Sequence, residues 1–235
     1  MKTKLSPTRT IAQIAVFSAV SVLLYLFLKF PLVGLFPAWL EIQISDMPAL
    51  LAGFMMGPWQ GATVLAVRTL IKLPFTSTAM VGELADLLCG LAFVLPSAFV
   101  YKFNRTKKGA LIALAIGCVC TVVMSIIANY FILLPFFIKA YGWSAIMGMF
   151  TVVFPQATQA NFYTLYIFLS VIPFNLLRSL VCALITFLVY KRLQRFFNFV
   201  FKEKSKKQED VPVEIEQEEY AEDNQTTVIS VTEEE

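Results

Sequence analysis

The chain has 235 residues, 58% of them hydrophobic and 14% aromatic, and a formal net charge of +3 at pH 7. Its mean hydropathy of +0.71 exceeds that of soluble domains, in which roughly 45–50% of residues are apolar. An all-α integral membrane protein is therefore predicted, with no nucleic-acid partner. The sequence contains no histidine, which removes the usual general base and the commonest metal ligand. We expect no catalytic residue, no metal site and no cofactor.

All four cysteines fall inside apolar runs, at Cys89, Cys118, Cys120 and Cys182. Their spacing lacks the C-x-x-C pattern of zinc sites and thiol redox centres. Free cysteine behaves as a small hydrophobic residue when it is buried. We expect buried thiols, with neither a disulfide nor zinc.

The first apolar run covers residues 11–30 and is long enough to cross a bilayer, which takes about 20 residues. It lacks a clear small-residue cleavage site, so a retained helix is predicted rather than a signal peptide. Ala12, Ala15 and Ala19 share one stripe of this helix. Small residues at four-residue spacing allow close helix approach in membranes. The stripe fits either docking to another protein or ordinary internal packing.

Further runs that could span the membrane cover residues 80–101, 109–134 and 163–190. Residues 48–75 form one helix or two, because Gly57-Pro58 interrupts the run and proline disfavours helix in the residue before it. Loop charge decides between these alternatives, since cytoplasmic loops are rich in Lys and Arg. A single span gives five helices and places the first and last basic clusters on opposite sides.

Splitting the run at Gly57-Pro58 gives a bundle of six transmembrane helices with a short second helix over residues 48–56. All the basic clusters then face the cytoplasm, as do both termini. Residues 31–47, 73–79 and the long connection 135–161 are predicted outside. We further expect Asp46 to cap the second helix by accepting from its first turn, with Pro48 near the start, where its missing donor is harmless.

Two domains are predicted, a membrane domain over residues 1–201 and a polar tail over residues 202–235. Only four of the sixteen acidic residues precede residue 203. The tail has few aromatic residues and cannot bury enough apolar surface to fold alone. We expect a disordered cytoplasmic segment, either simply solvated or used as an electrostatic site for a partner.

Polar groups inside the spans are expensive in a bilayer and are therefore candidate functional residues. The ionisable ones are Arg68, Lys72, Glu83, Asp86 and Arg178, and the amides are Asn129 and Asn175. In the six-helix layout they gather in the outer half of the bundle, beneath the loop that carries Glu41 and Asp46. This clustering predicts an outward-facing pocket. In the alternative interpretation, Glu83 and Asp86 only neutralise Arg68 and Lys72, and both interpretations can hold together.

Aromatic residues adjoin the amides, because Tyr130 follows Asn129 and Phe174 precedes Asn175. Arg178 lies three residues after Asn175 and hence on the same helix face. Alternating amide donors and aromatic planes suit a flat heteroaromatic ligand. We therefore predict a substrate site that includes Glu41, Asp46, Glu83 and these five residues.

Several short motifs occur in a characteristic order: Asp46-Met-Pro-Ala-Leu, Gly57-Pro58, Gly82-Glu83-Leu84-Ala85, Asn129-Tyr130 with Leu134-Pro135, and Pro173-Phe174-Asn175-Leu176. Over residues 10–195 the sequence resembles the riboflavin-specific substrate-binding subunits, or S components, of energy-coupling factor (ECF) vitamin transporters. The resemblance implies high-affinity riboflavin capture by a multi-pass protein of the bacterial cell membrane. It also implies a coupling membrane protein and two ATPase subunits as partners.

The resemblance implies ligand contacts at Asn129, Asn175 and Arg178, and docking of the partner module on the alanine surface of the first helix. The sequence departs from the family pattern at Arg178, where lysine is expected, and at Asp86, where asparagine is expected. Arginine presents a planar fork rather than a point charge. The choice among riboflavin, FMN and another flavin therefore stays open.

Two alternatives remain. The chain could be an S component for another vitamin, such as thiamine or biotin, or an integral-membrane enzyme that uses Glu83 and Asp86 as acid and base. No histidine or nucleophile motif supports the enzyme. The sequence also lacks a GxxxxGK[ST] phosphate-binding loop, so ATP hydrolysis must come from partner subunits.

Overall fold

The computed structural model describes residues 7–32, 35–37, 40–76 and 79–209. These residues form helices and one two-stranded sheet, which the all-helical prediction did not include. In chain order the elements are α1 (Pro7–Phe27), β1 (Lys29–Pro31), β2 (Glu41–Gln43), α2 (Met47–Met55), α3 (Pro58–Lys72), a 3-10 turn (Leu73–Phe75), α4 (Val81–Phe103), α5 (Lys107–Ala128), a π-helical turn (Asn129–Leu133), α6 (Leu134–Tyr141), α7 (Trp143–Thr151), α8 (Phe162–Leu165), a second π-helical turn (Tyr166–Val171) and α9 (Ile172–Glu209).

The chain divides into two compact units, Met1–Tyr190 and Lys191–Glu235. The first unit contains the core and the candidate site. The described part of the second unit is the continuation of α9, which runs past the predicted domain boundary at residue 201 and ends at Glu209. Most of the predicted tail, residues 210–235, lies outside the described residues.

Four helices of the described chain are long and apolar enough to cross a bilayer: Thr8–Phe27, Val81–Phe103, Lys107–Tyr141 and Phe162–Tyr190. By contrast, α2 has nine residues and α3 has fifteen, fewer than the ~20 that a full crossing requires. Protein surrounds α2, because Ala49, Leu50 and Ala52 have no exposed surface.

The break between α2 and α3 lies at Gly57, as the sequence predicts. Its φ of 133° suits a residue without Cβ, and Pro58 opens α3 at a position where the missing N–H does no harm. A Cβ at Gly61 would lie only 2.8 Å from the carbonyl oxygen of Ala49. Glycine thus allows α3 to approach the backbone of α2 closely.

The segment after α1 folds into an antiparallel hairpin, in which Lys29 pairs with Gln43 and Phe30 with Ile42. The predicted first helix extends to residue 30, but α1 ends at Phe27. The alternating pattern of Glu41, Ile42 and Gln43 is typical of a strand with two different faces. We call β1, β2 and the described residues between them (32, 35–37 and 40) the lid hairpin.

The predicted connection 135–161 is largely helical. The helix that begins as α5 continues through the π-helical turn into α6, and after Gly142, which has a φ of 83°, α7 follows. Phe150 and Phe162 are fully buried here, with ring centroids 4.9 Å apart. Phe137, Ile146 and Phe150 of this segment pack with Phe162 in one buried cluster, so part of it forms a core rather than an exposed loop.

Candidate functional site

A cavity of about 540 Å³ lies in the first unit, within the usual range for small-molecule sites. Its polar lining consists of Glu41, Gln43, Lys72, Glu83, Asp86, Asn129, Asn175 and Arg178. Its apolar lining includes Tyr25, Leu40, Phe75, Leu133, Phe137, Tyr141, Ile146, Met149 and Phe174. The lid hairpin, the end of α3, the start of α4 and the first turns of α9 all contribute to this wall.

Two arginines and two aspartates form a closed ring of ion pairs beside the cavity, which we call the ion-pair ring. Arg68 Nη1 lies 2.7 Å from Asp46 Oδ1, and its Nη2 lies 2.9 Å from Asp86 Oδ2. Arg178 Nη2 lies 2.8 Å from Asp46 Oδ2 and 2.7 Å from Asp86 Oδ1. The ring joins the start of α2, α3, α4 and α9, and its formal charge is zero.

Burial makes this ring sensitive to the loss of any member. The side chains of Arg68 and Asp46 are 1% and 6% exposed. Buried ions are costly to desolvate, and removing one partner leaves the other uncompensated, at roughly 3–5 kcal/mol. Each charge in the ring contacts two opposite charges. The four ion pairs together therefore offset the cost of removing these groups from water.

A second ion pair lies in the cavity wall. Lys72 Nζ is 3.3 Å from Glu83 Oε1, and the hydroxyl of Thr76 donates to Glu83 Oε2 at 2.7 Å. The same ammonium lies 3.4 Å from the centroid of the Tyr25 ring, a favourable cation–π position. Both partners are thus held in place by α1 and by the turn after α3.

The lid hairpin is tied to the ion-pair ring by side-chain hydrogen bonds. Gln43 Nε2 donates to Asp86 Oδ1 at 2.5 Å. Two residues later, the Ser45 hydroxyl accepts from Arg68 Nη1 at 2.9 Å, and the Ser45 carbonyl accepts from the Ser21 hydroxyl at 2.6 Å. The chain is therefore fixed at Ser45, just before α2 begins.

Apolar contacts also hold the lid hairpin over the cavity. Leu40 and Ile42 pack with Phe174 of α9 in one buried cluster. The ring of Phe36 meets that of Phe174 edge to face, with centroids 5.3 Å apart. Phe174 therefore forms part of the cavity wall and part of the surface on which the lid rests.

Each of the two asparagines donates a hydrogen bond to a carbonyl four residues earlier in the chain, and Asn129 also accepts one from another segment. Asn129 Nδ2 donates to the Ser125 carbonyl at 2.8 Å, and its Oδ1 accepts from the Tyr166 hydroxyl at 2.7 Å. Asn175 Nδ2 donates to the Val171 carbonyl at 2.9 Å. Asn129 opens one π-helical turn and Asn175 follows the other, a type of irregularity that is frequent at functional sites.

Six of the predicted substrate-site residues line the cavity: Glu41, Glu83, Asn129, Phe174, Asn175 and Arg178. Tyr130 lies elsewhere, 45% exposed, with its ring centroid 5.6 Å from that of Tyr163. Asp46 lies behind the wall in the ion-pair ring.

The prediction that the Asp46 carboxylate caps α2 is wrong. Asp46 occupies the N-cap position, but its side chain makes no capping hydrogen bond. It binds Arg68 and Arg178 instead, because a charge-assisted bond to a buried guanidinium is stronger than one to a neutral amide.

Sequence reasoning missed several cavity residues, notably Gln43, Tyr25, Phe137 and Tyr141. A signal for Gln43 was present, since the polar residues Glu41, Gln43 and Ser45 alternate with isoleucines as in a half-buried strand. Phe137 and Tyr141 were missed because α6 was interpreted as part of a connection, and Tyr25 because nothing in the sequence sets it apart from the other apolar residues of the first helix. Lys72 and Asp86 were recognised as costly polar residues but not as ligand-facing ones.

The alanines of α1 lie away from the cavity. Ala12, Ala15 and Ala19 are all exposed, next to Val16, which is 60% exposed. The stripe is thus available to lipid or to another protein, and its use for docking stays a prediction.

A family model, "ECF transporter, substrate-specific component", matches residues 9–190. The riboflavin transporter RibU of Staphylococcus aureus (strain TCH60) is 32% identical, over 83% of this chain and 95% of that protein. The riboflavin transporter FmnP of Bacillus subtilis (strain 168) is 26% identical, over 79% and 92%. RibU of Streptococcus thermophilus (strain ATCC BAA-250 / LMG 18311) is 30% identical, over 80% and 83%.

A solved structure described as the S component of a bacterial ECF transporter has a similar fold, with a TM-score of 0.62 and 30% sequence identity. The match covers 81% of this chain and 98% of that one. The family model covers nearly the whole first unit, and the three relatives and the solved structure each match 79–83% of this chain. The chain belongs to the substrate-specific components of ECF transporters.

Proposed function

We propose that this chain is the high-affinity riboflavin-binding subunit of an ECF vitamin transporter. As a member of its family it is a substrate-binding transport subunit of the bacterial cell membrane, and its multiple apolar helices fit that location. The observation that carries the proposal is the cavity of about 540 Å³, which combines aromatic walls with amides and paired charges. Riboflavin has matching parts, a flat ring system and a polyhydroxylated chain.

The electrostatics of the cavity favour an uncharged ligand. Its two cations, Lys72 and Arg178, already contact the carboxylates Glu83 and Asp86. A charged ligand would compete with these pairs in a low dielectric, where displacing a partner is costly. A neutral polyol can instead hydrogen-bond to the paired groups and leave them paired.

The aromatic and amide groups suit the ring system. Phe174 and Phe137 are buried in the cavity wall and offer flat apolar surface. Asn129 and Asn175 provide donors and acceptors for the polar edge of a flavin. The lid hairpin then covers the ligand and excludes water.

We further propose that the chain crosses the membrane six times, with α2 and α3 each making a crossing, and that both termini are cytoplasmic. ATP hydrolysis in two partner subunits, transmitted by a coupling membrane protein, would reorient the subunit and release the vitamin inside. The exposed alanine stripe of α1 is the proposed docking surface for that module. Close backbone approach at small residues supports such contact.

Titration of the purified protein with riboflavin, followed by quenching of flavin fluorescence, tests the ligand. We expect saturable, submicromolar binding with one site per chain. The absence of saturable binding would overturn the proposal. Competition with unlabelled riboflavin, FMN, thiamine and biotin then tests specificity, and a competitor much stronger than riboflavin would identify an S component for another vitamin.

A further inference from the structure

The carboxylate of Asp86 lies where three elements meet at the cavity. It accepts from Gln43 on β2 at 2.5 Å and contacts Arg68 on α3 and Arg178 on α9. The carboxylate therefore joins the lid to both helices that carry the arginines. Asp86, Gln43 and Arg178 all line the cavity, so a ligand there lies next to this junction.

Asp46 provides an internal comparison. It binds the same two arginines, Arg68 and Arg178, through the same kind of carboxylate. The Gln43 amide, however, donates to Asp86, and Asp86 faces the cavity while Asp46 lies behind its wall. Two aspartates of one ring thus have different relations to the lid.

The attachments of the lid divide into a fixed end and a releasable part. At the fixed end, Ser45 is bound by both Arg68 and Ser21. Beyond Ser45, the contacts of the lid include the Gln43–Asp86 hydrogen bond and apolar packing on Phe174, while the Ser45 hydroxyl donates to Gln43 Oε1 at 3.3 Å. Apolar contacts do not fix a direction, whereas a short hydrogen bond to a buried carboxylate does.

We propose that Gln43 and Asp86 form a latch that positions the lid hairpin over the ligand, with Asp86 as a positioning residue. The latch rests on the proposed function, because it requires riboflavin to bind in this cavity. A ligand in the cavity keeps water away from Gln43 and Asp86, which both line it, and so strengthens their hydrogen bond in a low dielectric. Occupancy and lid closure therefore support each other. The latch therefore lengthens the time for which the vitamin stays bound.

The replacement Gln43→Leu removes the donor while approximately preserving side-chain size. In the ligand-free protein we expect faster tryptic cleavage after Lys29, the hairpin partner of Gln43. Bound riboflavin should dissociate about tenfold faster, the effect of losing one charge-assisted hydrogen bond. Gln156→Leu, at an exposed position, is the matched control and should change neither rate.

A second variant tests for the hydrogen bond to Asp86 itself. Gln43→Glu places a carboxylate against Asp86 and should open the lid, as Gln43→Leu does. Because Gln43→Glu keeps an oxygen that accepts from the Ser45 hydroxyl and leaves the ion-pair ring intact, its effect reports the loss of the bond to Asp86. If Gln43→Leu does not fold, Gln43→Asn shortens the side chain by one methylene and keeps its polarity.

Wild-type rates of cleavage and release in both Gln43→Leu and Gln43→Glu would overturn the latch. Faster release with unchanged cleavage would also overturn it, because Gln43 would then act only as a direct ligand contact. The cleavage measurement needs no ligand. A wild-type protein that fails to bind riboflavin would therefore contradict the proposed function, while cleavage would still decide on the latch.

Discussion

At the scale of single residues, charge pairing is the main feature of the wall of this cavity. Asp46, Arg68, Asp86 and Arg178 are buried together, and each contacts two opposite charges. Buried ions of this kind depend on complete pairing. The same groups explain how a cavity rich in ionisable side chains can suit an uncharged ligand.

Arg68→Met should destabilise the protein strongly, because Asp46 and Asp86 each lose a partner. We expect a loss of about 3 kcal/mol or more in unfolding free energy, visible as a lower midpoint of thermal unfolding in detergent. Arg105→Met removes an exposed arginine and should have little effect. Equal midpoints for the two variants would contradict the structural importance of the ring.

Asn175→Ala should weaken riboflavin binding more than it weakens the fold. The amide lines the cavity, and its removal leaves a polar edge of the ligand unsatisfied, at about 1–3 kcal/mol or roughly 5- to 150-fold in affinity. Fluorescence titration measures the change. Asn104→Ala, at an exposed position, serves as the control, and an unchanged affinity in Asn175→Ala would exclude this amide from the site.

At the scale of elements, the two short helices and the lid hairpin place the site. Gly57 separates α2 from α3, and Gly61 allows the two helices to pack closely. Arg68 on α3 can therefore reach Asp46 at the start of α2. The hairpin brings Gln43 to the cavity from the other side. None of these elements is long enough to be a standard membrane span.

Gly61→Ala should disturb the contact between α2 and α3. The added Cβ would meet Val94 Cγ1 at 2.8 Å, and overpacking typically costs about 1–3 kcal/mol. A fall in the thermal midpoint is the expected result. Gly148→Ala, where a Cβ meets nothing within 4 Å, should be neutral or slightly stabilising because alanine favours helix. A neutral Gly61→Ala would contradict this packing.

The break at Gly57-Pro58 could be predicted because glycine and proline have strong local preferences. The lid hairpin could not, since three-residue strands leave only a weak pattern and depend on pairing between Lys29 and Gln43. Likewise, the π-helical turn at Asn129 is a tertiary adjustment without a composition signal. The sequence thus predicts features that depend on local backbone preferences, such as a helix break. It does not predict short strand pairs or π-helical turns, which depend on contacts with distant residues.

For the candidate site, burial cost identified the right residue types but not their partners. Arg178 was expected to face the ligand, and it does line the cavity, yet it also bridges two aspartates far away in sequence. Asp46 was expected to cap a helix and instead completes the ion-pair ring. Pairing across the bundle requires the three-dimensional arrangement, which one sequence does not provide.

At the scale of the whole molecule, the surfaces that we propose for substrate capture and for energy coupling are different. The lid and the helices that carry the ion-pair ring line the cavity, whereas the alanines of α1 are exposed. Variants of the two surfaces should therefore separate binding from transport. Because the sequence contains no GxxxxGK[ST] phosphate-binding loop, transport by an ECF substrate-specific component needs partner subunits, whereas ligand binding does not.

Ala15→Leu with Ala19→Leu should block close approach of a partner helix and leave the cavity intact. We expect riboflavin binding by the purified variant to match wild type, while cellular uptake falls at least about tenfold, since small residues permit tight helix contact in membranes. Ala140→Leu, an exposed alanine on α6, is the control. Normal uptake in the double variant would contradict docking through α1.

The riboflavin-bound structure tests the central claim most directly, because it shows both the ligand and its position. We predict one flavin inside the cavity of about 540 Å³, with its ring system against Phe174 and polar contacts to Asn129 and Asn175. The lid hairpin should be closed over it. A flavin bound elsewhere, or an empty cavity at saturating riboflavin, would contradict the account.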